Sequence, residues 1–329
     1  MGAMQSQDFI MAKWAIGVRL PASTHEIVEE AFNKGDIIRT HVMRPTWHFI
    51  VKEDVRNLLQ ISSARILTTN RSRDRQLELA ESIFSKSNKI IEKVLLDGKH
   101  LTRDEIAAKL QMEGIKTDEN RASHLLMRAE MEGIICSGPV KNKRQTYAML
   151  DERVPLSKPL LKEEILATLA QRYFISHGPA RLQDFAWWSG VPLGEARKAL
   201  ENVKYTLISE TIDSETFWLD GSIQIPENFE DSAYFLPAYD EFIISYADRS
   251  ASLPAEVNSR AVSSNGLFRP VVVINGQVKG LWKRSLVKEK LRVEVSMFHQ
   301  PDKKTKSNLV NAIESYGHFL GKEKEIVFD

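Results

Sequence analysis

Thr102-Arg103-Asp104-Glu105 opens a stretch that runs to Leu150 and decides how the chain is read. These four residues have the form of a capping box, in which a hydroxyl accepts from the backbone three residues on while a glutamate reaches back; Ile106 and Leu110 follow at helical spacing. The polar turn Lys116-Thr117-Asp118-Glu119-Asn120 leads into a second helix with Leu125, Leu126, Ala129 and Met131 on one face, stopped by Gly133. Ile134-Ile135-Cys136-Ser137 reads as a strand, Gly138-Pro139-Val140-Lys141-Asn142-Lys143-Arg144 as a basic loop, and Thr146-Tyr147-Ala148-Met149-Leu150 as the returning strand. Helix, turn, helix, strand, basic loop and strand is the order of a winged helix, a unit most often used to lay a helix into a DNA groove.

The same grammar recurs on both sides. Upstream, Ser23-Thr24-His25-Glu26 caps a helix through Ile27, Val28, Ala31 and Phe32 to Gly35, and strands Ile37–Val42 and Trp47–Val51 flank Met43-Arg44-Pro45-Thr46. Downstream, helices run from Leu161 to Phe174, from Pro179 to Gly190 and from Glu195 to Val203, before strands at Tyr205–Glu210 and Phe217–Asp220. Repetition at a domain-sized interval argues for an array of modules rather than one large sheet. After Pro226 the pattern changes to short strands at Ala233–Pro237, Phe242–Tyr246, Phe268–Ile274, Val278–Trp282 and Leu291–Phe298. Asn275-Gly276 is a type I′ hairpin signal, because both central residues need positive φ. Lys303–Leu320 is an amphipathic helix and Ile326-Val327-Phe328 a closing strand, so this part is expected to be a small β-barrel or curled sheet with one helix against it. The expected fold class is α+β. Residues 1–80 hold the first winged helix and basic connecting helices, 81–155 the second, 156–225 the third and 226–329 the barrel-like domain.

The 329 residues leave room for two or three domains, and 43% hydrophobic with 27% charged residues is ordinary for a globular chain. No apolar run approaches the roughly 20 residues needed to cross a bilayer, and no secretory segment opens the chain, so a cytoplasmic address without membrane association is expected. The single cysteine, Cys136, excludes an internal disulfide framework and a thiolate cluster for zinc. Net charge is only +1, but the cations are grouped: Arg65, Arg71, Arg73 and Arg75; Lys141, Lys143 and Arg144; and Lys279, Lys283, Arg284, Lys288, Lys290 and Arg292. Each group alone is compatible with a solvated face, whereas three beside wing-like elements favour DNA, whose binding is driven by lysine and arginine displacing counterions.

Near the amino terminus, Met4-Gln5-Ser6-Gln7-Asp8 stands before the apolar stretch Ala12–Val18. Two glutamines spaced by one residue are a weak signal by themselves, equally suited to a helix cap. This segment with Lys13-Trp14-Ala15-Ile16-Gly17-Val18-Arg19-Leu20 resembles the start of the AlkZ-like family of winged-helix DNA glycosylases. The resemblance continues through Arg44-Pro45-Thr46-Trp47-His48, through His177-Gly178-Pro179 with Asp184-Phe185-Ala186-Trp187-Trp188-Ser189-Gly190, and through Leu236-Pro237-Ala238-Tyr239-Asp240-Glu241-Phe242 with Tyr246-Ala247-Asp248-Arg249-Ser250. It ends at Phe268-Arg269-Pro270-Val271, Gly276 and Gly280-Leu281-Trp282. It implies three tandem winged helices and a β-barrel, a bacterial origin, a concave DNA-binding body, and excision of alkylated bases or repair of interstrand crosslinks. The family's paired glutamines, separated by an apolar residue, fall on Gln5 and Gln7, with Ser6 between them here. The chain starts after the helix that normally precedes this motif, so the first module is expected without its first helix.

The chemistry of such a pair follows from the amide. A purine alkylated at N7 or N3 already carries positive charge and leaves without a general acid; the enzyme need only stabilise oxocarbenium character and hold a water at the anomeric carbon. A glutamine carbonyl can accept from that water but cannot take its proton at neutral pH, so the pair suits a labile cationic lesion. Both carboxamides are accordingly expected to face a cationic trough, and Asp8 is set aside as base because it points away from at least one of them. Thr46 and His48 alternate along one strand after Arg44; under the resemblance they support the site, while His48 also suits a satisfied buried position. Asp240, Asp248 and Arg249 read either as structural ion pairs or as cleft-lining groups. Trp187-Trp188 reads as a core pair. No metal and no cofactor are expected, and His41 and His100 have no ligand spacing. The partner is double-stranded, damaged DNA, bound by a monomer associated with the nucleoid, because a tandem array in one chain argues against an operator-reading dimer. The competing class is a non-catalytic winged-helix DNA-binding protein, a regulator or lesion sensor; a protein-docking scaffold is a third.

Overall fold

The computed structural model describes residues 1–224, 232–287 and 290–328, so the boundary residue Pro226 and Lys288 lie outside the described residues. The chain opens with β1 (Met4–Gln5), α1 (Phe9–Gly17), α2 (His25–Lys34), β2 (Ile37–Val42), β3 (Thr46–Val51), α3 (Val55–Gln76) and α4 (Glu81–Leu95). It continues with β4 (Leu101–Thr102), α5 (Arg103–Met112), α6 (Arg121–Met131), β5 (Ile135–Ser137), β6 (Thr146–Met149), α7 (Leu150–Arg153), α8 (Lys162–His177), α9 (Leu182–Ser189) and α10 (Leu193–Val203). The last part holds β7 (Ile208–Ile212), β8 (Glu215–Leu219), β9 (Ala233–Leu236), α11 (Glu241–Ile244), α12 (Ala255–Ala261), β10 (Val271–Ile274), β11 (Gln277–Val287), β12 (Lys290–Met297), α13 (Lys303–Leu320) and β13 (Lys324–Phe328). This mixed α/β chain divides into two compact units. The first comprises Met1–Met4, Glu30–Ser176 and Trp188–Thr206; the second comprises Gln5–Glu29, His177–Trp187 and Leu207–Asp329.

In the first unit the capping box forms as its residues require. Glu105 N donates to Thr102 Oγ1 at 3.3 Å and Thr102 N donates to Glu105 Oε2 at 2.7 Å, an arrangement worth about 1 kcal/mol. Helices α4, α5 and α6 bury Phe84, Ile91, Leu95, Ile106, Leu110 and Leu125 in one cluster, each side chain contributing about 1.5–3 kcal/mol over exposure. Gly133, at φ +71, ends α6 in the left-handed region. The basic loop proves tighter than expected: Lys141 and Arg144 exchange both backbone hydrogen bonds at 2.9 Å, and Asn142 and Lys143 take φ +50 and +61, the geometry of a two-residue type I′ turn. β2 and β3 pair antiparallel from Ile37 opposite Val51 to Val42 opposite Thr46. Strand β2 is tied to the middle copy, since Arg39 N donates to Ser137 Oγ at 2.8 Å and His41 N to the fully buried Glu130 carboxylate at 2.9 Å.

The second unit is built on a five-stranded sheet in the order β13-β12-β11-β10-β9, antiparallel except for β12 with β13. β13 and β9 remain edges, so the described strands make an open sheet and not a closed barrel. Asn275 and Gly276, at φ +51 and +74, turn β10 into β11 with Ile274 opposite Gln277. Along β12, Leu291, Val293 and Val295 alternate inward. Helix α1 joins this core through Trp14, whose ring centroid lies 4.8 Å from Tyr316 and 5.3 Å from Phe319 of α13; its Nε1–H donates to Phe235 O at 2.6 Å. The close approach needs Gly17, where a Cβ would meet Phe319 at 2.6 Å. One expected strand is absent: Phe242–Tyr246 begins inside the one-turn helix α11, because Asp240 Oδ1 accepts from Phe242 N at 2.9 Å and caps it.

Candidate functional site

The glutamine motif occupies the bend before α1. Asp8 is the helix cap, its Oδ1 accepting from Ile10 N at 3.1 Å and Met11 N at 3.0 Å, which commits the carboxylate to the backbone. Gln7, next to the cap, is exposed, whereas Gln5 keeps 7% of its surface and Ser6 none. The two amides therefore stand in different surroundings, Gln7 open to solvent and Gln5 enclosed.

What holds Gln5 is a group the sequence reading did not single out. Its backbone N–H donates at 2.5 Å to Oε1 of Glu241, a fully buried carboxylate. The Ser245 hydroxyl donates to Oε2, and His177 Nε2 lies 3.8 Å from the same oxygen. Burial alone would raise the Glu241 pKa; His177, Ser245 and the Gln5 amide overcome it and hold the group at about 2. Tyr246 Oη in turn donates to His177 O at 2.7 Å. The adjacent Asp240, also buried, takes Arg19 in a fork at 2.9 and 2.7 Å, and Arg19 donates back to Ala15 O at 2.9 Å. Neighbouring carboxylates thus grip the amino-terminal segment before α1 and after it. The signal lay in Tyr239-Asp240-Glu241-Phe242 and His177-Gly178-Pro179, but nothing local tells which acid faces inward.

Of the other candidates in this unit, Asp248 is exposed, accepts from Ser250 N at 2.9 Å and lies 3.8 Å from Arg181. Arg249 donates to Ile243 O at 2.9 Å, with its guanidinium 5.4 Å from the Trp187 ring centroid and 5.2 Å from that of Phe268. Trp187 itself is 46% exposed and donates to Ile244 O at 3.0 Å, so the expected core pair splits, only Trp188 being buried. Lys283 is exposed and paired with Glu294 at 2.7 Å, while the Arg284 charge acts on the Tyr316 phenol, whose pKa burial raises to about 12.

The first unit carries Arg44, Thr46 and His48 around the β2–β3 turn. His48, opposite Thr40, is wholly buried, with Nδ1 3.0 Å from Thr46 O; Arg44 and Thr46 are half-buried. Arg65 is a strut for this turn, donating to Met43 O at 2.6 Å, and burial lowers its pKa. Gly190, at φ +68, completes the contact, since a Cβ there would come within 3.1 Å of Met43 O. Arg71, Arg73 and Arg75 are exposed at the end of α3, Arg71 and Arg75 on one face and Arg73 opposite, donating to Gln76 Oε1 at 3.0 Å. Lys141, Lys143 and Arg144 are exposed on the hairpin, with Arg144 also bonded to Asp104. Burial pushes the Cys136 thiol up to about 12. Among the described residues no group of three or more His, Cys, Asp or Glu side chains could hold a metal ion, and no helix is long and apolar enough to cross a membrane.

Comparison with functionally curated proteins gives no match. The solved structure of Streptomyces sahachiroi DNA glycosylase AlkZ is similar in fold, with a TM-score of 0.77 over 99% of this chain and 91% of that one at 19% sequence identity. Residues 1–319 match the family described as DNA glycosylase AlkZ-like, and the chain belongs to that family.

Proposed function

We propose that the protein is a DNA-repair glycosylase that hydrolyses the N-glycosidic bond of cationic, alkylated purines or crosslinked bases. The observation that carries this reading is the exposed Gln7 at the head of α1 beside the clamped Gln5, in a chain of this family. Gln7 has access to water and substrate, and its carbonyl orients the attacking water; Gln5 contributes its acceptor from the protected side. No carboxylate is required as general acid, since the leaving base is already charged, and Asp8 is occupied as a cap. A shallow site of this kind acts on a lesion that stays stacked, without rotating it into a deep pocket.

In the same reading the helix pairs with their hairpins are three winged helices divided as the sequence suggests, and the open sheet with α13 is the counterpart of the family's barrel. Lys141, Lys143 and Arg144 on the wing, with Arg71, Arg73, Arg75 and Lys283, meet phosphates of double-stranded DNA. Arg44 takes a backbone phosphate, with Thr46 and His48 shaping the turn that carries it. Asp240, Asp248 and Arg249 support the second unit. The protein acts as a monomer on damaged chromosomal DNA.

Incubation with duplex DNA bearing N7-methylguanine should release free modified base. Gln7→Ala should slow release by about 100-fold, the scale of one transition-state hydrogen-bonding group, and Gln5→Ala by about 10-fold or more, both with DNA affinity retained. The low exposure of Gln5 favours a second reading, a non-catalytic lesion sensor in which the glutamine segment only leads into α1. That reading gains the case if DNA binds with a steep salt dependence but wild-type protein and both variants release base equally poorly.

A further inference from the structure

Two neighbouring acids, Asp240 and Glu241, hold a segment more than 220 positions earlier in the chain. Asp240 grips Arg19 beyond the end of α1, and an ion pair with a buried member is a common structural device. Glu241 is harder to explain as structure alone. A carboxylate buried without access to water is expensive, and its worth depends on fully formed partners. The partners of Glu241 include the Ser245 hydroxyl, the nearby His177 and the backbone N–H of Gln5. A neutral residue could have packed beneath this bend; instead the fold spends an ionised group on the peptide unit that leads into the glutamine motif.

We infer that Glu241 is a positioning residue for the motif: its carboxylate, oriented by Ser245 and His177, fixes the Gln5 peptide and so aims the Gln5 and Gln7 carboxamides. Asp8, capping α1 three residues later, holds the other end, so Ser6 and Gln7 are suspended between two fixed points. The carboxylate stays ionised well below neutral pH, so the clamp does not loosen where the enzyme works. Amides that orient a water act by geometry, and a displacement on the order of 1 Å is enough to cost about 100-fold in rate. This inference rests on the glycosylase reading, and its test separates the two.

In the full chain, Glu241→Ala is expected to lower the single-turnover rate of N7-methylguanine release by about 100-fold. Affinity for the same duplex should stay within about threefold, so the loss falls on kcat and not on KM. Glu241→Gln, which keeps an acceptor for the Gln5 N–H, should recover to within about tenfold of wild type. Ser245→Ala, which keeps the charge but removes the hydroxyl donor to Oε2, should lose about fivefold and covers the case in which Glu241→Ala does not fold. Amide hydrogen exchange at Gln5 should be slow in wild type and at least tenfold faster in Glu241→Ala and Ser245→Ala. Unchanged rates in folded variants, a parallel loss of rate and DNA affinity, or equal Gln5 protection in all forms each overturn the inference. If wild type releases no base, the glycosylase reading falls instead, and the exchange rates alone decide whether Glu241 fixes the motif.

Discussion

Removing the Asp240 carboxylate tests how the second unit holds its amino-terminal segment. The Asp240 side chain is fully buried and Arg19 is 29% exposed, the two joined by two charge-assisted hydrogen bonds at 2.7 and 2.9 Å. Breaking a buried pair from one side typically costs about 3–5 kcal/mol, because the remaining charge stays desolvated. Arg19 can regain water through its exposed part, which places this pair at the low end, about 3 kcal/mol. Asp240 also caps α11 through Phe242 N, worth about 1 kcal/mol more. Asp240→Ala should therefore destabilise the second unit by about 4 kcal/mol. Asp240→Asn, which retains the cap and the shape, should cost about 1 kcal/mol less. Urea unfolding followed by tryptophan fluorescence reads this transition, since Trp14 and Trp282 lie in that core, and a cycle with Arg19→Met isolates the pair at about 2 kcal/mol of coupling. A cost below 1 kcal/mol for Asp240→Ala, or equal costs for Ala and Asn, would mean that the Asp240 charge does not hold this segment.

Three further outcomes follow from the same geometry. Glu241 is depressed from 4.5 to about 2, so its stabilisation is complete above pH 4.5 and is lost as pH falls toward 2. The unfolding free energy from urea titration should drop by about 2 kcal/mol more between pH 4.5 and 3 in wild type than in Glu241→Gln, and equal slopes would show that the Glu241 charge does not stabilise the fold. Replacing Lys141, Lys143 and Arg144 together by alanine should reduce the slope of log affinity against log salt by about 2–3; a change below 1 would take the hairpin off the DNA. Thr102→Ala should lower stability by about 1 kcal/mol in thermal or urea unfolding, since it removes one half of the capping box, and a neutral result would mean that water replaces it.

The parts of this architecture written in short-range chemistry were legible. The Thr102–Glu105 box, the Asn275-Gly276 turn and the amphipathic run from Lys303 to Leu320 each depend on residues within one or two turns of each other, and each stands where its pattern put it. Phe242–Tyr246 misled because its aromatic and β-branched run resembles a strand, while a single cap at Asp240 was enough to wind one turn of helix. Trp187 and Trp188 look alike in sequence, yet successive helical residues point about 100° apart, so one is buried and the other lies under Arg249. The glutamine motif was found through its resemblance, and nothing local told that Gln5 is enclosed while Gln7 is exposed. The Gln5 backbone N–H is held by Glu241, 236 positions away, and a contact of that separation leaves no period in the sequence.

That separation has a consequence for synthesis. At about 5–20 residues per second, a ribosome spends about 10–50 s between adding Gln5 and adding Glu241. Throughout that interval the nascent chain carries the glutamines without their anchor. A product released before Glu241 is added would keep every residue of the motif and lack the carboxylate that holds the Gln5 backbone. The anchor therefore assembles only once Glu241 has been made, and any earlier product lacks the contact that fixes the Gln5 backbone.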